Sequence, residues 1–191
     1  ETKAMNAPQP LPKIDLTWPE EGYTRVPYQV YMDPAIYARE QELIFRGSTW
    51  SYVALTVELP NPGDYKTTQI GDTPVIVTHG LDGEYHAMVN RCAHRGALVC
   101  RDNFGHADTL TCVYHQWAFD TSGDLIGVPF RRGLAGKGGY PKDFDMKEHG
   151  LQKLKVEVFG DCIFASFDLQ MPSVEAYFGP EMSDYHRRMF N

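Results

Sequence analysis

The sequence contains few cysteines, no long apolar run and no excess of basic residues. Only 4 of its 191 residues are cysteines, far too few for a disulfide-stapled scaffold of this length. It has no apolar run of about 18 residues and no segment with the basic start and apolar core of a signal peptide. We therefore expect a cytoplasmic protein that does not use a membrane.

The charge balance is acidic. The formal net charge is −7, whereas binding to nucleic acid or to an anionic membrane needs a basic surface. We therefore expect neither as a partner. Hydrophobic residues make up 42% and aromatic residues 13% of the chain, which is enough to bury the core of one compact domain with attached elements.

Short strands are predicted for the middle of the chain. After Trp50 the segments are rich in β-branched and aromatic residues and are separated by turns such as NPGD and LDG. Such spacing predicts a mainly β protein built from antiparallel strands. A further hairpin is expected around Gly160 and Asp161. The predicted strands include DYKTTQI, TPVIVTH, EYHAMVN, ADTLTCV, WAFDT and DLIGVPF.

Helices are predicted on both sides of this β region. Asp33 followed by Pro34 is typical of a helix start, and the apolar pattern that follows ends at Gly47. Ser173 is typical of the start of a second helix. We therefore divide the chain into an N-terminal arm and helix (1–47), a β-domain (48–168) and the start of a helical link (169–191).

Two short segments each hold one cysteine and one histidine. RCAHRGALVC carries Cys92 and His94, and CVYHQWAF carries Cys112 and His115. Either pair alone is most simply explained as core residues, but two pairs in turn-like β settings indicate a metal centre. Zinc fingers place both cysteines before both histidines, and copper electron-transfer sites use a single cysteine. A Rieske [2Fe–2S] cluster, with two cysteines on one iron and two histidines on the other, fits the pattern better.

At these residues the sequence resembles a known family. CAHRG at 92–96 and CVYHQW at 112–117 are similar to the Rieske motif of the large (α) subunits of aromatic-ring-hydroxylating oxygenases. TRVPYQVY, PNPGDYKTT, GVPFRRG and the final GPE are also similar to that family, so the resemblance spans about residues 22–181. Within the family the sequence most resembles oxygenases of aromatic carboxylates, such as terephthalate, salicylate or anthranilate.

The resemblance implies a fold and a ligand set. The fold would be a Rieske [2Fe–2S] antiparallel β-domain with flanking helices. Cys92 and Cys112 would hold the inner iron, and His94 and His115 would hold the outer iron. The surroundings of the cluster would include Arg95, Gly96, Tyr114 and Trp117.

Three of these surrounding residues have expected roles. Gly96 would let the backbone approach the cluster closely, and Trp117 would pack under the second loop and exclude water. Arg95 would take part in docking, because it adjoins a predicted ligand.

The resemblance also implies partners and a second metal. Electrons would come from NADH through a reductase, sometimes with a ferredoxin. They would leave towards a mononuclear non-haem Fe(II), where O2 is activated to hydroxylate an aromatic ring. That iron would usually belong to a neighbouring α subunit of a trimer, often with β subunits. A stand-alone Rieske ferredoxin and a structural zinc domain are the alternatives to this dioxygenase or monooxygenase component.

The sequence departs from the family and from its respiratory counterparts at three positions. Respiratory Rieske proteins carry a disulfide between the two loops, but the matching positions here are Ala97 and Tyr114. Gln116 follows His115 where the family usually has glycine or alanine. We expect its bulkier side chain to alter docking or the reduction potential.

The sequence lacks the motif for the second iron. The facial triad of two histidines and a carboxylate usually appears as D-x2-H-x4-H. The late candidates Asp184 and His186 are too close together, and no second histidine follows them. We expect both to be surface residues and the chain to be the N-terminal part of a longer α subunit. Cys100 and Cys162 are expected to be buried thiols.

Overall fold

The computed structural model describes Ile14, residues 16–18, Glu20, residues 22–135 and residues 137–190. Most of the N-terminal arm predicted for residues 1–20 lies outside this described part. The expected antiparallel β architecture with helices near both ends is confirmed. The described strands are β1 (Ser51–Leu55), β2 (Asp64–Ile70), β3 (Thr73–His79), β4 (Tyr85–Val89), β5 (Phe104–His106), β6 (Leu110–Thr111), β7 (Ala118–Phe119), β8 (Leu125–Gly127), β9 (Lys155–Phe159) and β10 (Cys162–Ser166).

Two of the three α-helices in the described residues begin at the predicted capping residues, Asp33 and Ser173, and the short first helix was not predicted. Helix α1 (Gln29–Met32) leads directly into α2 (Pro34–Glu40), which continues as a π-helical turn, Gln41–Phe45. The Asp33 carboxylate accepts a hydrogen bond from the backbone N–H of Ala35 at 2.8 Å and so caps α2. Helix α3 (Val174–Met189) is capped by Ser173 and is kinked at Gly179, which precedes Pro180.

The strands form three antiparallel sheets. One contains β1, β10 and β9 in that order, and the second contains β4, β3, β2 and β5. The third sheet is small and contains β6, β7 and β8. Since β3 lies between β4 and β2 and is buried, its run of β-branched residues fits a strand covered on both faces. The predicted hairpin around Gly160 and Asp161 joins β9 to β10.

Two of the three hydrophobic clusters among the described residues fill the interior of these sheets, and the third packs Trp50 and β10 against Val174 at the start of α3. The first packs β1 and β10 against β3 and β4, with Val53, Val75 and Ile163 almost fully buried. The second lies where the short strands β6 to β8 meet β3 and β4, and it includes Ile76 and Phe119. This second cluster supports the two loops that carry the cysteine–histidine pairs.

Several strands differ from the sequence prediction. WAFDT is ordered as a strand only at Ala118–Phe119, and DLIGVPF only at Leu125–Gly127. Strand β5 was not predicted, because it has only three residues and contains Gly105. A Cβ atom at Gly105 would lie 2.4 Å from the ring of Tyr65, so close packing requires glycine there. The predicted strand ADTLTCV is ordered as a strand only at Leu110–Thr111, because the residues that follow turn into a loop.

The prediction that His186 is a surface residue is wrong. Its side chain is only 6% exposed and its ring stacks on Phe159, with centroids 4.9 Å apart. Its Nε2 atom is 2.8 Å from the carbonyl oxygen of Phe159, to which it can donate a hydrogen bond. Asp184 is on the surface as expected and pairs with Arg188. Among the described residues, no helix has the length and apolar character needed to cross a bilayer.

Candidate metal centre

The two cysteine–histidine segments form loops with the same backbone frame. Loop one, residues 92–97, follows β4, and loop two, residues 112–117, connects β6 to β7. In loop one, Gly96 N–H donates to the Cys92 carbonyl and Cys92 N–H donates to the Ala97 carbonyl, both at 2.8 Å. Loop two repeats these two bonds between Gln116 and Cys112 and between Cys112 and Trp117, at 2.8 and 2.9 Å. Each loop is therefore closed at its base by two hydrogen bonds and presents its middle residues outward.

The fifth residue of each loop adopts a left-handed backbone. Gly96 has φ 72° and Gln116 has φ 58°, and such values are strained for any residue with a Cβ atom. A Cβ atom on Gly96 would meet no protein atom within 4 Å, so within the protein the preference for glycine comes from the backbone conformation. Loop two has the same turn with a glutamine and therefore carries strain that loop one avoids.

The loops bring the four predicted ligands together as an inner pair and an outer pair. Cys92 and Cys112 are 4% and 1% exposed and belong to the second hydrophobic cluster. The rings of His94 and His115 lie further out, with centroids 4.6 Å apart and planes at 69°. The two thiols thus point inward and the two imidazoles face the surface. Each of these pairs takes one residue from loop one and one from loop two.

One predicted ligand atom has no hydrogen-bond partner in the protein. In the described part of the chain, His94 Nδ1 is the one buried side-chain nitrogen or oxygen atom without such a partner. A buried imidazole nitrogen without a partner is costly unless it binds something. A metal cluster that takes His94 as a ligand would supply that partner.

Local electrostatics favour the metal-binding form of His94 but disfavour that of Cys92, because a raised thiol pKa disfavours the thiolate. Removal from water lowers the pKa of His94, and the neighbouring His115 and Arg95 lower it further. This shift favours the neutral imidazole, which is the form that binds a metal. Burial raises the pKa of the Cys92 thiol, and the adjacent Cys112 adds to this, while the backbone N–H groups of His94 and Arg95 oppose it. Backbone donors directed at a ligand sulfur are one means by which a protein sets a cluster's potential.

Trp117 packs beneath the two cysteine–histidine loops. Its indole is 2% exposed and stacks on His94 with centroids 4.8 Å apart and an interplanar angle of 7°. Tyr140, Phe144 and His149 surround the indole, with ring centroids at 6.0 to 6.1 Å. This aromatic layer keeps water away from the inner side of the histidine pair.

The remaining predicted surroundings lie at the rim. Tyr114 is exposed, and its ring lies against His115 with centroids 3.8 Å apart. Arg95 is also exposed, and it is in none of the ion pairs that the described residues form. Both are therefore available to a molecule that approaches the histidines.

Asn90 has a role that the sequence did not reveal. It is 2% exposed, and its Oδ1 accepts hydrogen bonds from the backbone N–H groups of Val99 and Cys100 at 2.8 and 3.0 Å. Its Nδ2 donates to the Cys100 carbonyl at 2.7 Å. One side chain thus joins the chain before loop one to the chain after it. In the sequence, the only sign of this role is that Asn90 lies two residues before Cys92.

The four cysteines are free thiols in this structure. All are buried, including Cys100 and Cys162 as predicted. Ala97 and Tyr114 occupy the positions of the respiratory disulfide, so none links the loops. Burial, with a contribution from the Asp102 carboxylate, raises the pKa of Cys100 to about 12.

Comparison with known proteins agrees with this geometry. Residues 49–138 match the family described as Rieske [2Fe-2S] domain. The chain is 52% identical over 177 residues to the large subunit of anthranilate 1,2-dioxygenase from Burkholderia cepacia, covering 93% of this chain and 42% of that protein. It is 46% identical over 194 residues to the large oxygenase component of salicylate 5-hydroxylase from a Ralstonia species, covering 98% and 46%.

Solved structures show the same relationship. The chain superposes on naphthalene 1,2-dioxygenase from a Rhodococcus species with a TM-score of 0.74 and 30% sequence identity, covering 84% of this chain and 35% of that one. The chain thus spans less than half the length of the relatives it matches.

Proposed function

Since the chain belongs to the Rieske [2Fe–2S] domain family and is related to the large subunits of ring-hydroxylating oxygenases, we propose that its loops hold the cluster. Cys92 and Cys112 would bind the inner iron, and His94 and His115 the outer iron. The observation that carries this assignment is the shared backbone frame of the two loops, which pairs the thiols inside and the imidazoles outside.

The chain's own residues would prepare this site before iron enters. Asn90 holds the two ends of the first loop region together, and Trp117 both closes the second loop and covers His94. The histidine rings line an open concavity of about 360 Å³ with Phe130 and Tyr140. When bound, the cluster would supply one-electron storage and transfer, and the histidine side is where a partner could approach it.

The domain would serve an oxygenase. We propose that it passes electrons to a mononuclear non-haem iron in a catalytic domain of a longer α subunit. It would receive them from an NADH-dependent reductase, with or without a ferredoxin. Trimers of α subunits, with or without β subunits, would bring one subunit's cluster near another's iron. The division into residues 1–47, 48–168 and 169–191 belongs to the same proposal.

The proposed substrate class is an aromatic carboxylate. The two relatives above are named after anthranilate and salicylate, which are benzoates with one further ring substituent. The sequence identity of these two enzymes to this chain, 52% and 46%, exceeds the 30% identity of the naphthalene enzyme. This ranking supports a carboxylated substrate over an unsubstituted hydrocarbon.

A stand-alone Rieske carrier is the alternative function. The similarity to oxygenase subunits covers 93 to 98% of the chain, so it includes the flanking helical segments as well as the cluster loops. That extent favours the oxygenase component.

Metal analysis and visible spectroscopy test the cluster assignment. We expect about two irons and two acid-labile sulfides per chain and a visible spectrum that bleaches on reduction. A colourless protein with one zinc would refute the assignment. Turnover of anthranilate, salicylate and naphthalene by the full-length protein with a reductase tests the oxygenase role. Hydroxylation of the carboxylates in preference to naphthalene is expected, and reducible protein without any turnover would favour the carrier.

A further inference from the structure

We infer that a pocket on the flank of the two loops binds a small aromatic carboxylate that carries a ring hydroxyl or amine. Arg101 would bind the carboxylate, and Asp102 would accept a hydrogen bond from the ring substituent. The pocket has a volume of about 390 Å³, which suits a small molecule, and it is here named the flank pocket. A ligand site on this domain goes beyond the electron-transfer role proposed above.

The flank pocket lies between the segment that leaves loop one and the strand that enters loop two. Val99, Cys100 and Leu110 form its floor and are only 4%, 7% and 2% exposed. Among the described residues, it shares no lining residue with the concavity beside His94 and His115. It is therefore a second concave site, with an apolar floor on which an aromatic ring can pack.

The rim of the flank pocket is polar. Arg101, Asp102, Thr109 and Thr111 line it and are exposed. In the described part of the chain, neither Arg101 nor Asp102 takes part in an ion pair, even with the other. The two threonines add hydroxyl groups that can donate or accept. An apolar floor with a few polar groups around it is the usual composition of a small-molecule site.

The two charged residues specify the chemistry of the ligand. A guanidinium group such as that of Arg101 binds a carboxylate through two parallel N–H donors. The carboxylate of Asp102 only accepts hydrogen bonds, so it favours a ligand group that donates. A flat apolar ligand with both groups would therefore match the floor and the rim together. Inorganic phosphate would leave the floor uncovered and would bring more negative charge to Asp102.

The floor of the flank pocket is uncharged. Burial, with a contribution from Asp102, raises the pKa of the Cys100 thiol to about 12. Burial also raises the pKa of the Tyr65 hydroxyl, which lines the same pocket. Both groups are therefore neutral at neutral pH. A bound carboxylate would meet no thiolate or phenolate, and Arg101 would offset the charge of Asp102.

Hydrogen bonds hold the walls of the flank pocket in place. Thr67 on β2 donates its hydroxyl to the Asp102 carbonyl at 3.2 Å and its N–H to the Asn103 carbonyl at 2.9 Å. On the same segment, the Cys100 N–H donates to Asn90 Oδ1 at 3.0 Å. The other wall includes β6, which pairs with β7. A site that is already ordered loses less entropy when its ligand binds.

Isothermal titration calorimetry of the iron-loaded protein tests the inference with anthranilate, benzoate and aniline. Anthranilate carries both ring groups, whereas benzoate lacks the amine and aniline lacks the carboxylate. We expect anthranilate to bind with a Kd of about 0.1–1 mM, as befits a ligand of this size. Benzoate should bind about threefold more weakly, and aniline should give no measurable heat, because the charged contact is the stronger one.

Two variants assign the binding to the flank pocket. Arg101→Gln should raise the Kd of anthranilate about tenfold, because the charged donor is lost. Asp102→Ala should abolish the preference for anthranilate over benzoate, because no acceptor is left for the amine. The matched controls are Arg39→Gln and Asp108→Ala, at exposed residues that do not line the pocket. They should change the Kd less than about twofold.

Three results would overturn the inference: no anthranilate binding, aniline binding as tight as that of anthranilate, or equal losses in the pocket and control variants. Each would leave the proposed cluster unaffected, because iron and acid-labile sulfide are measured separately. A zinc protein that binds anthranilate and loses this binding in the Arg101 variant would contradict the proposed function and support the inference.

Discussion

The indole ring of Trp117 lies parallel to the imidazole ring of His94, with centroids 4.8 Å apart and 7° between the planes. The carbonyl of the same tryptophan accepts the N–H of Cys112 and closes loop two. One residue therefore ties a histidine of the first loop to the backbone of the second. This explains how two distant segments can hold their ligands in a fixed relation.

Replacing Trp117 should disturb the cluster site in addition to the loss of stability expected from removing any large buried side chain. Trp117→Ala should lower the free energy of unfolding by about 3–5 kcal/mol and should also alter the visible circular dichroism of the cluster. Trp50→Ala is the matched control, since Trp50 is buried in a different hydrophobic cluster. The control should cost similar stability without changing the cluster spectrum. If both variants alter the spectrum equally, Trp117 has no special relation to the site.

The matching turns of the two loops predict that introducing glycine at position 116 stabilises the protein and that removing glycine at position 96 destabilises it. Gln116→Gly removes left-handed strain and should raise the free energy of unfolding by about 0.5–1 kcal/mol, after the greater entropy of unfolded glycine is subtracted. Gly96→Ala should lower it by about 1 kcal/mol, although the added Cβ meets no protein atom. Urea unfolding measures both, and changes of the same sign would contradict the shared backbone frame.

Asn90 should be essential to the first loop. Asn90→Ala leaves the N–H groups of Val99 and Cys100 and the Cys100 carbonyl without their partner, and buried unpaired groups of this kind cost about 1–3 kcal/mol each. We expect a total loss of about 3–5 kcal/mol, less than the plain sum, together with reduced iron content. Asn103→Ala, at an exposed position, should change stability by less than about 0.5 kcal/mol. Full iron content in the Asn90 variant would contradict the proposed role of Asn90 in holding the first loop.

Cys100 should be unreactive in the folded protein. With its pKa raised to about 12 by burial and by Asp102, only about one molecule in 10⁴ carries the thiolate at pH 8. Because the neutral thiol is the form favoured by folding, its contribution to stability is lost as pH rises above about 8.5, the ordinary thiol value. Mass spectrometry after iodoacetamide treatment at pH 8 should find this cysteine unlabelled unless urea is present. Equal labelling with and without urea would show that the site is open.

The sequence predicted the strand-rich fold, because it depends on local patterns, and the ligand set stays a prediction. The spacing of Cys92, His94, Cys112 and His115 is visible without a structure, and the DYKTTQI and TPVIVTH strands were confirmed with the predicted bounds. Capping by Asp33 and Ser173 also depends only on neighbouring residues.

The features that the sequence missed all depend on distant partners. His186 was expected on the surface because nothing near it in sequence indicates that Phe159 lies against it. Strand β5 was missed because Gly105 has meaning only beside the ring of Tyr65. The backbone conformations of Gln116 and Phe130 were also not predictable, since neither residue type favours a positive φ.

Pulsed EPR of the reduced protein carrying ¹⁵N-labelled histidine tests the central claim most directly. If His94 and His115 hold the same iron, hyperfine couplings from two imidazole nitrogens should appear. His94→Cys should remove one of them, while His86→Ala, at a histidine paired with Asp82, should remove neither. A reduced cluster with no histidine coupling, or with both couplings retained in the His94 variant, would contradict the account.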